Sequence, residues 1–204
     1  MLMRRREVPI LVVNLAYVAG FGALSVARVN YEFIIYTLVI VVFFALIALT
    51  QRRVEFSPLV LWGLTLWGLM HMAGGFVPVG QGRLYDVMLV TLSPRYEVLK
   101  YDQAVHLFGF GVATLVCYHL LRRRLAPEAT AGAVLLSLVA LMGMGLGALN
   151  EVIELFVTLT APESGVGGYM NTALDMASNM FGALLAVAWI AFERRRQGTA
   201  LPAV

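Results

Sequence analysis

The chain has 204 residues, of which 60% are hydrophobic and only 13% charged. A water-soluble domain carries roughly 25% charged residues, and this shortage, with several apolar runs of about 20 residues, excludes a soluble globular protein. The formal charge of +3 comes from basic residues in short clusters between apolar runs, not in a stripe, which leaves no nucleic-acid surface.

In chain order, the first apolar run is Val8–Ala27. Arg4, Arg5 and Arg6 before it and Ser25-Val26-Ala27 at its end mimic a signal peptide. The run is longer than the roughly 7–15 residues of a cleaved h-region, so an uncleaved first span is expected. Further spans follow at Phe33–Thr50, Pro58–Val79, Asp102–Leu121, Ala131–Leu159 and Asn171–Phe192. Each is long enough for an apolar core of about 30 Å at 1.5 Å per residue. The fifth is overlong and is expected to tilt or project. The predicted fold is therefore an all-α polytopic membrane protein, a bundle of six transmembrane helices forming one membrane domain over residues 1–204. The single cysteine, Cys117, lies mid-span, which rules out an intrachain disulfide.

Orientation follows from the Lys/Arg bias of the loops. Eleven of the fifteen basic residues (Arg4–Arg6, Arg52, Arg53, Arg122–Arg124 and Arg194–Arg196) fall on one side under strict alternation. Arg28, Arg83, Arg95 and Lys100 fall on the other. The bias predicts N-in and C-in. The connection over 80–101 is long, and its apolar part Leu84–Val90 is too short to span; an interfacial helix, a lid over the outer mouth and a plain surface loop all fit. The loop Ala161–Met170 carries Gly165, Gly167 and Gly168 and is expected to be mobile. Gly143, Gly145 and Gly147 on the fifth span, and Ser178, Gly182 and Ala186 on the sixth, have small-xxx-small spacing that would draw these two spans together.

Polar residues inside the spans cluster in depth. Asp102 opens the fourth span and His106 follows one helical turn deeper. Asn150, Glu151 and Glu154 lie in the outer third of the fifth. Asn171, Asp175 and Asn179 form an i, i+4, i+8 stripe on the sixth, and His71 lies near the outer end of the third. Four spans thus place polar groups in one slab of the outer leaflet, whereas His119 belongs at the inner interface. Charge at membrane depth is expensive and is a functional-site hypothesis by default. No lysine or arginine of the spans lies at that depth. The four carboxylates could be protonated, pair with Arg83, Arg95 or Lys100 folding down from the outer loop, or hold one or two divalent cations with His71 and His106 as further ligands. Imidazole with carboxylate suits zinc, manganese or iron, and an oxygen-only subset suits magnesium or calcium. Bland readings stand beside these: His71 as a packing histidine, Asn179 as interhelical glue, Asn171 as a helix cap.

The series His71-Met-Ala-Gly-Gly75, Tyr101-Asp-Gln-Ala-Val-His106, Asn150-Glu-Val-Ile-Glu154 and Asp175-Met-Ala-Ser-Asn179 resembles the YjdF-type family of small bacterial inner-membrane proteins. The last three motifs are also similar, more distantly, to the VanZ-like family, which is associated with resistance to glycopeptide antibiotics such as teicoplanin. The resemblance puts Asp102, His106, Glu151, Glu154, Asp175 and Asn179 at motif positions. The YjdF-type pattern has an acid where Asn171 stands, so Asn171 is left out of the catalytic set. Fold and location are implied; no particular reaction is.

The function expected first is a metal-assisted intramembrane hydrolase or transferase acting on a lipid or lipid-linked envelope precursor. Glu151, Glu154, His106 and Asp102 would be catalytic, and His71, His106, Glu151, Glu154 and Asp175 would hold a divalent zinc, manganese or magnesium ion. Asn150 and Asn179 would support them. A non-enzymatic membrane factor binding a lipid-linked ligand or a partner is the first alternative. A proton-coupled transporter is the second, and the apolar inner halves of the spans speak against it.

Overall fold

In a computed structural model, residues 5–93, 95, 96, 98–125, 132–162 and 164–196 are described. Arg4, Pro94 and the expected start of the fifth span at Ala131 lie outside them. Six helices carry the fold: α1 Val8–Ala27, α2 Tyr31–Val54, α3 Pro58–Phe76, α4 Tyr101–Arg122, α5 Ala133–Thr160 and α6 Tyr169–Arg196. All six are long and apolar enough to cross a membrane.

Local chemistry sets the ends. The Asn30 side chain accepts from Phe33 N at 3.1 Å and starts α2. Ser57 accepts from Val60 N at 3.3 Å, with Pro58 in the first turn of α3. Gln103 reaches back to Lys100 N at 2.6 Å and opens α4.

Three expectations about boundaries change. The third helix ends at Phe76 rather than Val79, because Pro78 forces Val77 into an extended conformation. The sixth runs on to Arg196, where Arg196 pairs with Glu193 at 3.2 Å one turn back, so charge does not end it. It has 28 residues, as α5 does; both are about 42 Å long. The 80–101 connection is neither a helix nor a shapeless loop. A two-stranded hairpin (β1 Pro78–Val79, β2 Gly82–Arg83) leads into one 3-10 turn at Leu84–Asp86, and Met88 bridges Lys100.

Helix α4 is the hub, packed on α3, α5 and α6 with eleven buried residues. Gly182 of α6 lies against the Leu107 carbonyl and Gly111 N of α4, so the two backbones touch. Gly182 therefore draws α6 onto α4, a contact beyond the expected α5–α6 seam, which is also formed. The glycines of α5 meet both neighbours: Gly143 faces Thr114 of α4 and Ala183 of α6, and Gly147 faces Asn179. Towards the basic end, Tyr118, Leu135, Val139 and Ile190 form an apolar core beneath this seam.

Helices α1 and α2 pack beside α3. Asn14 Nδ2 donates to Thr65 Oγ1 at 2.7 Å and to the Ile10 carbonyl at 2.8 Å. At the basic end, Arg123 ties α4 to the end of α2 through the Val54 carbonyl and Glu55, both at 2.9 Å. His119 sits at that end too, bonded to the Leu115 carbonyl. Large apolar side chains such as Leu38, Leu49, Leu141 and Phe181 point outward, as lipid contact demands.

The α4–α6 contact yields a paired prediction. Gly182→Leu must push two backbones apart and is expected to cost about 3 kcal/mol by overpacking. Gly145→Leu, where an added Cβ meets nothing within 4 Å, should be near neutral. Unfolding of purified protein in detergent compares them, and equal stability of the two variants would refute the seam.

Candidate functional site

Because successive helices alternate in direction, the start of α4, the last third of α5 and the start of α6 share one end of the bundle. Asp102 lies in the first turn of α4 and His106 one turn further in. Glu151 and Glu154 face them from α5, and Asp175 and Asn179 from α6. His106, Glu154, Asp175 and Asn179 are all buried.

His106 is the centre. Its Nδ1 lies 3.1 Å from Asn179 Oδ1, an acceptor, so the Nδ1–H donates there. That leaves Nε2 facing Asp102 Oδ1 at 3.7 Å and Glu154 Oε1 at 3.6 Å. Glu151 Oε1 stands 3.5 Å from Nδ1. None of these three separations is a hydrogen bond.

The acids are held by amides. Asn150 Nδ2 donates to Glu154 Oε1 at 2.7 Å, and Asn171 Nδ2 donates to Asp175 Oδ2 at 2.6 Å, each one turn along its own helix. Asn171 also reaches Asp102 Oδ2 at 3.1 Å, and Gln103 Nε2 donates to Asp175 Oδ1 at 3.1 Å. Asn179 Nδ2 reaches Glu151 Oε1 at 3.4 Å. One acid oxygen of the cluster is both buried and without a hydrogen-bond partner: Glu151 Oε2, on a side chain only 8% exposed.

Two sets of metal-type ligands follow. Asp102, His106 and Asp175 can each offer an atom within 4.8 Å of the others, and so can His106, Glu151 and Glu154. Among the described residues, His71 joins neither set. The Tyr85 hydroxyl lies 2.7 Å from both its Nδ1 and its backbone carbonyl. Donating to the carbonyl, Tyr85 accepts from Nδ1–H, which leaves the His71 Nε2 lone pair open. Burial first, and then the charges of Asp102 and Glu154, raise the Tyr85 phenol well above its ordinary value, so it remains a hydroxyl.

A cavity of about 90 Å³ opens above the cluster, with His71, Tyr85, Lys100, Asp102, Glu154 and Asn171 in its wall. Of the cations expected to fold down, Lys100 lines this cavity. Arg83 instead meets Glu32 at 3.7 Å, and Arg95 lies over the Tyr96 ring. Glu32 also accepts from Gly165 N at 2.8 Å, so the glycine-rich loop expected to be mobile is tied to α2 at Gly165. Gly165, Val166 and Gly167 complete the cavity wall.

Sequence reasoning gave no site role to four of these residues: Glu32, Gln103, Asn171 and Tyr85. Glu32 falls outside the predicted second span, which starts at Phe33, two residues after the helix does. Gln103, between Asp102 and His106, is as polar and as deep as either and could have been found on that ground. Asn171, set aside as a cap, bridges two acids. Nothing in the sequence pointed to Tyr85.

Six long apolar helices around a buried polar cluster define a multi-pass membrane protein. The chain belongs to the family described as "Predicted membrane protein (DUF2238)", whose model matches residues 9–196; this is the YjdF family. No curated protein and no solved structure matches it. The more distant VanZ-like resemblance finds no support in these comparisons.

The bridging role of Asn171 can be measured. Asn171→Leu leaves the buried Asp175 and the half-buried Asp102 without a shared donor and is expected to lower stability in detergent by about 2 kcal/mol. A change below about 0.5 kcal/mol, the scale of an ordinary surface substitution, would show that the bridge is not formed.

Proposed function

We propose that the cluster binds a divalent cation and is the catalytic centre of a hydrolase or transferase in the bacterial cytoplasmic membrane, acting on a lipid or lipid-linked envelope precursor. The observation that carries this reading is the spacing around His106. Its unprotonated Nε2 stands 3.6 Å from Glu154 Oε1 and 3.7 Å from Asp102 Oδ1, outside hydrogen-bond range. Ligands held about 2.1 Å from one tetrahedral ion are about 3.4 Å apart, so the spacing suits groups arranged around a shared cation.

Two further features support it. A metal-bound histidine generally donates its other ring N–H to an oxygen, and His106 Nδ1 does so to Asn179. The orphaned Glu151 Oε2 is a buried acceptor in want of a positive partner. In this reading His106, Glu151, Glu154 and Asp175 supply ligands, Asp102 supplies another or steers His106, and His71 is a proton carrier at the cavity wall. The cation would polarise a phosphoryl or carbonyl oxygen of the precursor and acidify a bound water. A carboxylate not used as ligand would take the water's proton as it attacks.

A second reading, a non-enzymatic factor binding a lipid-linked ligand or a partner, draws on a different observation. Amides satisfy most of the acid oxygens, as a purely structural network requires. Proton-coupled transport has less support, because α4 and α6 close backbone to backbone at Gly111 and Gly182 below the cluster.

Metal analysis of protein purified without chelator decides between the first two. The expectation is about one divalent ion per chain, with affinity reduced at least about tenfold, or 1.4 kcal/mol, in Glu151→Gln and His106→Ala. A metal-free protein whose variants lose only stability would leave the structural network standing and end the enzyme reading.

A further inference from the structure

A second cavity, of about 140 Å³, lies between α1, α2, α3 and α5. Its wall is almost wholly apolar: Ile10, Ile40, Phe43, Ile47, Leu61 and Leu64 are typical. The polar groups in the middle, Asn14 and Thr65, are bonded to each other and to the Ile10 and Leu61 carbonyls, so they present little to an occupant. Apolar cavities of roughly this volume stay dry and take apolar ligands.

Its extent is informative. On α2 the lining runs from Tyr36 to Ile47 and on α3 from His71 back to Leu61, about 16 Å along each helix. That is about half of a 30 Å hydrocarbon core, the depth of one leaflet. A volume of about 140 Å³ spread over such a length makes the cavity a slender slot. At its upper end it shares Tyr36 and His71 with the polar cavity that holds Lys100, Asp102 and Glu154. One slot therefore starts beneath the acidic cluster and descends to Ile10 and Leu61, about a turn from the basic ends of α1 and α3.

We propose that this slot binds one acyl chain of a bilayer phospholipid, whose headgroup enters the polar cavity above. The inference rests on the proposed function and names its substrate class as an acyl lipid. A long polyprenyl chain would outrun a slot about 16 Å long, whereas an ordinary acyl chain is of that order of length. The placement presents the ester and phosphate region at the level of His71, one helix away from His106.

Depth-resolved photolabelling tests this in the full chain. The protein is reconstituted in vesicles containing phosphatidylglycerol with a diazirine either near the ester or at the chain terminus. The shallow probe is expected to label around Tyr36 and Ile153, and the terminal probe around Ile47 and Leu61. Val39→Trp with Leu64→Trp, which fills the slot from two sides, should cut labelling of these segments at least about tenfold while metal content stays at the wild-type level. Labelling spread evenly over all lipid-facing helices overturns the proposal. So does labelling unchanged in the filled variant, or displaced by a prenyl phosphate but not by excess phospholipid. Should the filled variant not fold, the two-depth pattern in the wild type decides alone. Metal content is read on the same samples. Depth-graded labelling without metal upholds the slot and defeats the metal centre; metal without graded labelling does the reverse.

Discussion

Four carboxylates share one end of an otherwise apolar bundle, and the upper half of the molecule is arranged around making that tolerable. Charge far from water is unfavourable unless donors or opposite charge surround it. Two of the three acid-bearing helices carry their own donor one turn before an acid: Asn150 before Glu154 and Asn171 before Asp175. These bonds lie within a single helix and need no partner helix to form. The links between helices are fewer and run through Gln103, Asn171 and Asn179. The acids thus arrive at the seam already half satisfied, and the seam completes them around His106.

That arrangement requires close helices, since an amide side chain spans only a few ångströms. The glycines provide the approach. Gly182 brings α6 onto the α4 backbone, and Gly147 lets α5 settle on Asn179. A larger residue at either place would separate the acids from the amides that serve them. The outer connections finish the enclosure: Tyr85 locks onto His71, and Gly165 onto Glu32. Both loops lie over the polar end, where backbone groups still find partners, and not over the apolar end. By contrast the packing of α1, α2, α3 and α5 leaves a second cavity between them.

Much of this was legible in the sequence. Six apolar runs give six helices, and i, i+4 spacing of Asp102 with His106 and of Asn171 with Asp175 gives shared faces. What composition and spacing do not encode is which face meets which. The stripe of Ser178, Gly182 and Ala186 shows that α6 packs closely on something, but not that the something is α4. The third helix end was readable in principle, because Pro78 dictates the conformation of Val77; the apolar character of Val77 and Val79 hid it. Glu32 and Tyr85 lie outside the hydropathic core of any span. Their roles depend on loop conformation, which hydropathy does not report. His71 shows the same limit from the other side: its depth matched the cluster, yet its position on α3 places it across the cavity with Tyr85 as its partner.

The two cavities bear jointly on what such a cluster is for. A conducting pathway needs polar or open lining on both sides of the membrane, and here the seam below Asn179 is closed by backbone contact and apolar side chains. A purely structural network needs no cavity above it, no orphaned Glu151 oxygen and no apolar slot running down from its edge. Binding or chemistry on an amphiphile needs all three: a polar chamber for the head, an unsatisfied group to meet it and a hydrocarbon channel at the same level. Tyr36 and His71, which face both cavities, mark where head and tail of such a molecule would divide. A carboxylate cluster would repel a phosphate unless a cation stood between them. The proposed metal and the proposed lipid are therefore coupled by electrostatics: each makes the other's presence at this depth physically reasonable.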